Sequence, residues 1–135
     1  MVQHHHNGRT WWCLPGGSVE KGETPAEAAL RELEEECCVR GEIIRPTSHM
    51  TISTESETYT FLVDIGSQTP HLGHDPEVAA GTQKLALSDM QWFRLSEISE
   101  KDRVFLWAAG LLGIPEFRDE VFEWGNSISY PKSFE

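Results

Sequence analysis

Basic side chains are scarce in this chain: 11 lysines and arginines stand against 22 aspartates and glutamates, for a formal net charge of -11. That balance argues against nonspecific binding to the backbones of DNA or RNA, which needs a basic footprint. Small phosphorylated ligands escape the objection, because a bound cation supplies positive charge locally. Cysteine is sparse too. Cys13, Cys37 and Cys38 are the three present, odd in number and two of them adjacent, which fits a reducing compartment better than a disulfide framework. No CxxC spacing exists, and Cys37 reads as a buried structural thiol. Long apolar runs are missing, so no segment is expected to span a bilayer, and with no secretory leader the expected location is cytoplasmic. Internal repeats and linkers are absent as well. What the 135 residues do hold is 39% hydrophobic side chains, enough for one core, and residues 1–135 are read as a single domain.

The stretch from Gly17 to Glu36 joins a glycine turn to a helix with closely spaced carboxylates. Thr24 is a good N-cap, with Pro25 at the first helical position and Glu27 three residues after the cap, so a capping box should start a helix running from Pro25 to Cys37. At 3.6 residues per turn, Ala26, Ala29, Leu30, Leu33 and Cys37 share one side and are expected to face the core. Glu32, Glu35 and Glu36 fall on a neighbouring arc of roughly 100°. Ala28 lies in that arc and is small, which leaves room for an ion, whereas Glu27 and Glu34 point away. Glu32 and Glu36 repel across one turn. Arg31 can pair with Glu27 and Glu35, which leaves the cluster net acidic, and Mg²⁺ or Mn²⁺ would neutralise the remainder. A solvated acidic face is the bland alternative for any glutamate-rich helix. The preceding Leu14-Pro15-Gly16-Gly17, leading out of a strand expected at Arg9 to Leu14, argues against it, since paired glycines let a backbone approach a ligand closely.

With that loop in front and those carboxylates behind, the segment Gly17 to Val39 resembles the box of the Nudix hydrolase (MutT-like) family, Gly-x5-Glu-x7-Arg-Glu-aliphatic-x-Glu-Glu-x-Gly-aliphatic. Gly17, Glu23, Arg31, Glu32, Leu33, Glu35, Glu36 and Val39 fit, and Trp12-x-Leu14-Pro15-Gly16 looks like the usual lead-in. Cys38 stands where the family has glycine. That glycine normally ends the helix in a left-handed conformation, which a residue with a Cβ enters at a cost of about 1 kcal/mol.

Elsewhere, Gly41 to Ser53 and Glu57 to Ile65 read as strands with Ser53 to Ser56 as their turn, and Gly66 to Thr82 as a long loop. A further strand is expected within Leu85 to Phe93, at Met90 to Phe93. A helix is expected over Glu100 to Leu112 and a shorter one from Pro115 to about Trp124. This is an α/β pattern, and the resemblance implies the Nudix fold, a mixed β-sheet sandwiched between α-helices. Only sixteen residues precede Gly17, so the N-terminal strands are expected to be shortened. Met1 to His6 can supply one, and a second copy of the chain could complete the sheet as a homodimer. His4, His5 and His6 read as a strand end more than as metal ligands.

The resemblance implies a metal-dependent hydrolase that cleaves a diphosphate linkage in a nucleoside diphosphate joined to another moiety, by attack of water on phosphorus. It implies that Glu32, Glu35, Glu36 and the carbonyl of Gly17 hold Mg²⁺ or Mn²⁺. It also implies that Arg31 orients the glutamates and that Glu23 and Gly16 shape the loop. Glu35 is one candidate for the general base and Glu77, in His74-Asp75-Pro76-Glu77, is the other. Trp11 and Trp12 point to opposite faces of their strand, so one of them, with Trp12 preferred, is available to stack on a base. His49, His71 and His74 read as ordinary polar groups. A Nudix-fold nucleotide-binding or regulatory module without turnover is the alternative, since fold does not fix function.

Overall fold

The computed structural model describes residues 1–73, 86–111 and 114–124. Strands β1 (Val2–His6) and β2 (Arg9–Cys13) pair antiparallel from Val2↔Cys13 to His6↔Arg9. Asn7 and Gly8 join them with φ of 49° and 74°. Two consecutive positive φ values make the mirror-image turn that matches strand twist, and Asn-Gly is the pair that adopts it with least strain.

Helix α1 spans Pro25–Cys37, as its cap predicts. The Thr24 hydroxyl accepts from the Glu27 N–H at 3.2 Å, and the Thr24 N–H donates to Glu27 Oε2 at 2.7 Å. Glu27 is thereby committed to the cap. Arg31 turns to other partners, contrary to the pairing with Glu27 expected from spacing. At the far end Cys38 adopts φ 55° and ψ 34°, and its N–H bonds to the Glu34 carbonyl at 3.0 Å. The left-handed exit survives without glycine.

Strands β3 (Glu42–Ser53) and β4 (Ser56–Asp64) form a long antiparallel hairpin from Glu42↔Asp64 to Ser53↔Ser56. Pro46, which has no N–H for the ladder, sits at one of its register shifts, the position where a sheet tolerates proline. Strand β5 (Ala86–Met90) pairs with the other edge of β1, so the sheet order is β2-β1-β5. This corrects the strand expected at Met90 to Phe93. The ladder to β1 uses residues 86–90, the Gln91 N–H makes a last bond to the Met1 carbonyl at 3.0 Å, and the chain then leaves the sheet so that Phe93 can pack inward.

Helix α2 covers Glu100–Ala108, shorter than the expected Glu100 to Leu112. Gly110 takes φ 83°, and a Cβ on it would overlap the Thr47 carbonyl of β3. The hydroxyls of Thr47 and Ser48 donate to the carbonyls of Ala109 and Ala108, each at 3.1 Å. The hairpin thus supplies the partners that the last carbonyls of a helix lack. A 3₁₀ turn at Pro115–Phe117 leads into α3 (Arg118–Glu123).

Among the described residues, buried apolar side chains gather in two clusters. Val2, Cys37 and Val39 are buried together, with Cys13, Leu33, Ile65, Leu87 and Met90 against them. Ile98, Leu106, Leu111, Ile114, Val121 and Trp124 form the other, with Met1, Leu14 and Phe93 among the residues packed on it. Neighbours in sequence divide between the two: Val2 and Cys13 go one way, Met1 and Leu14 the other. Alternation along a strand does this, and it sets the three-stranded sheet between the end of α1 and the C-terminal helices. Burial on α1 differs from the helical-wheel expectation. Ala26, Ala29, Leu30 and Leu33 are only half-buried, whereas Ala28, Glu32, Glu36 and Cys37 are buried. The row Ala28-Glu32-Glu36, one turn apart at each step, faces inward.

Candidate active site

A carboxylate facing inward must find donors, since an ionised group loses much of its hydration there. Glu36 is 1% exposed and Glu32 8%. Glu36 Oε2 accepts the backbone N–H of Gly16 at 3.0 Å, so the loop before α1 folds back over the helix. Gly17 lies directly against Glu32: a Cβ there would overlap its carboxylate. Glycine is required at this position by space, because its φ is not in the left-handed region.

Arg31 gathers the remaining charges. Its Nε and Nη2 donate to the two oxygens of Glu23 at 3.1 and 2.7 Å, a bidentate pair. Nη1 donates to Glu32 Oε1 at 2.9 Å and to Glu35 Oε2 at 3.2 Å, and Nη2 also reaches the Ser18 carbonyl at 2.9 Å. Charge-assisted bonds of this kind are the stronger ones. They hold the Glu23 carboxyl below the usual carboxylate range, with help from the Glu20 N–H at 2.6 Å, and they raise the Arg31 guanidinium further above its already high value. Glu35 is the most open of the three box glutamates, its side chain 29% exposed.

The residues expected at the site thus fall into place unevenly. Gly16, Gly17, Glu23, Arg31, Glu32, Glu35 and Glu36 come together around one loop and one helix arc. Trp12 packs edge-to-face on Phe93, with ring centroids 4.8 Å apart, while Trp11 stacks on His4 at 5.8 Å. The two tryptophans do divide between faces of β2. His49 stacks on Tyr59 at 4.2 Å on the β3-β4 hairpin. His4, His5 and His6 belong to β1. Glu77 and His74 lie outside the described residues.

Two participants, Ser18 and segment 71–73, carry no signal in the sequence pattern, and a buried carboxylate outside the box, Asp102, carries none either. Ser18 contributes a backbone carbonyl, which no side-chain motif encodes. The segment 71–73 closes the end of α1, with the His71 N–H on the Cys37 carbonyl at 2.9 Å and the Gly73 N–H on the Glu36 carbonyl at 2.8 Å. Asp102 on α2 is 1% exposed. Its Oδ2 accepts from the Ser99 hydroxyl at 2.7 Å, and its Oδ1 has no hydrogen-bond partner among the described residues. Burial, with Glu36 and Asp102 both acting on it, pushes the Cys13 thiol up to about 12. Burial and Glu36 push Cys37 up to about 11.

Among the described residues no three His, Cys, Asp or Glu side chains are clustered as metal ligands. Arg31 draws Glu32 and Glu35, and Gly16 draws Glu36. The donor set nevertheless suits a hard divalent cation: carboxylate oxygens on one arc, beside a glycine whose missing side chain leaves the Glu32 carboxylate accessible from the loop.

Comparison with known proteins agrees with this arrangement. Residues 1–112 match the family model described as the NUDIX domain. A curated relative from Mycobacterium tuberculosis (strain CDC 1551 / Oshkosh), named "Putative mutator protein MutT4", is 46% identical over 37 residues, which make up 27% of this chain and 15% of that protein. No solved structure matches. The family match runs from β1 through α2 and takes in the Gly17–Glu36 site, with antiparallel sheets and helices in the α/β arrangement described above, and on that ground the chain belongs to the NUDIX domain family.

Proposed function

We propose that the chain, as a single domain over residues 1–135, hydrolyses a diphosphate linkage in a nucleoside diphosphate joined to another moiety, with Mg²⁺ or Mn²⁺ as cofactor. NUDIX proteins are in general pyrophosphohydrolases of small nucleotide-type substrates, and they use divalent metal ions. The observation that carries the reading is the seating of Glu32 against Gly17 and of Glu36 against the Gly16 N–H, which brings the box carboxylates and the glycine loop into one site.

Glu32, Glu35, Glu36 and the Gly17 carbonyl would hold the ion, which when bound shields the diphosphate and lowers the pKa of the attacking water. Arg31 fixes the directions of Glu32 and Glu35 and ties the loop to the helix through Glu23. Glu35, the most open box glutamate, accepts the proton of the attacking water, with Glu77 as the other candidate. Trp12, whose ring packs edge-to-face on Phe93, would stack on the base. Three free thiols fit action in the cytoplasm, and no helix among the described residues is long and apolar enough to cross a membrane.

A panel of nucleoside diphosphate derivatives, assayed for phosphate and nucleotide release with Mg²⁺ or Mn²⁺, tests the reading. Glu35→Gln is expected to lose at least 10²-fold in kcat, the scale on which a general base contributes. Binding of metal and nucleotide with no turnover on any substrate would replace the hydrolase by a regulatory binding module.

A further inference from the structure

Beyond the box, the backbone of segment 71–73 packs on the last turn of α1. Its two N–H groups take the carbonyls of Cys37 and Glu36, groups a helix end leaves without partners. Gly73 rests so closely on this turn that a Cβ would overlap the Glu35 carbonyl oxygen, and would stand 2.9 Å from the Glu35 carbonyl carbon and 3.2 Å from that of Glu36. All three obstacles are backbone atoms, which cannot rotate aside as a side chain can. The conformation of Gly73 is not what demands glycine, because its φ lies outside the left-handed region. Contact alone demands it.

We infer that Gly73 is a positioning residue for catalysis, its backbone packed on the Glu35-Glu36 turn so that these two carboxylates are held at the spacing a divalent cation needs. The inference rests on the reading above. Any side chain at 73 must lift segment 71–73 off α1 or push the last turn of the helix back by on the order of 1 Å, a displacement that can cost about 10²-fold in rate. Metal ligation tolerates only about 0.2 Å of error. Glu32 sits a turn earlier and keeps its bonds to Arg31, so the disturbance falls on Glu35 and Glu36.

The test compares the wild-type chain with Gly73→Ala and with Gly66→Ala, whose added Cβ meets no neighbouring atom but enters the left-handed region at φ 59°, so that it controls for about 1 kcal/mol of backbone strain that does not touch α1. Mn²⁺ affinity is measured by titration without substrate, followed by kcat and KM on whichever diphosphate the panel identifies. Gly73→Ala is expected to weaken Mn²⁺ binding at least tenfold and lower kcat by about 10- to 100-fold, with KM within about threefold, while Gly66→Ala matches wild type. Wild-type Mn²⁺ binding and turnover in Gly73→Ala would overturn the inference and leave the hydrolase standing. Absence of wild-type turnover would remove the hydrolase, and Mn²⁺ affinity would still decide the role of Gly73. Should Gly73→Ala not fold, amide exchange of the wild-type chain decides: protection of the Gly73 N–H that rises on adding Mg²⁺ supports the coupling, and protection indifferent to Mg²⁺ overturns it.

Discussion

Arg31 engages Glu23, Glu32, Glu35 and the Ser18 carbonyl at once, and only the planar guanidinium fork has the donors and the angles for this. Lysine keeps the charge and loses the fork. Arg31→Lys should therefore fold, yet lower kcat on the order of 10- to 100-fold as Glu32 and Glu35 lose their fixed directions, which steady-state kinetics beside a thermal melt would reveal. The cysteines divide as sharply. Cys38 is exposed, while Cys37 is buried and Cys13 half-buried, and burial with neighbouring carboxylates drives the latter two thiols up to about 11 and about 12. Titration with an aromatic disulfide at pH 8 should find one fast thiol in the native protein and three after unfolding. Because these folded-state values are raised, their contribution to stability is complete below the ordinary thiol value of 9.0 and is lost as pH climbs through 11 to 12. Urea midpoints should accordingly fall across that alkaline window.

At the scale of elements, the exit of α1 carries a removable strain. Cys38 holds φ 55° with its side chain exposed, so Cys38→Gly should stabilise the protein by about 1 kcal/mol, or roughly 3 °C in Tm by calorimetry. This same exit measures what a sequence can disclose. The start of α1 followed from Thr24, Pro25 and Glu27 because caps act between residues three apart. The box carboxylates were legible for a related reason, as spacing on a helix is geometry. Burial of the helix was misjudged where hydropathy alone decided it: Glu32 and Glu36 face inward because Gly16 and Arg31 supply donors, and those bonds depend on how the loop returns. Strand β5 was misplaced because its register is set by β1, distant in sequence. The Asn7-Gly8 turn was written in the chain and needed only its flanking strands to be read as a pair.

For the whole molecule, the join between the β3-β4 hairpin and the C-terminal helices is concentrated at one point. Thr47 and Ser48 cap the end of α2, and Gly110 passes against the Thr47 carbonyl at φ 83°. Gly110→Ala imposes both left-handed strain and overlap with backbone, so a loss of about 2–4 kcal/mol is expected from urea unfolding. Far-UV and tryptophan signals should still report one transition, because both apolar clusters share the β2-β1-β5 sheet.

The central place of β1 in that sheet also orders events during synthesis. Its partner on one side, β2, follows after a two-residue turn, whereas on the other side Val2 pairs with Met90. A nascent hairpin therefore leaves the ribosome with one edge of β1 unpaired and the otherwise fully buried Val2 uncovered. At elongation rates of about 5–20 residues per second, that edge waits roughly 5–20 s for β5. Of the five strands among the described residues, the one made first is closed last, and an open edge of that kind invites pairing with another chain. Slower translation of the stretch between β2 and β5 would lengthen that wait and lower the yield of native protein.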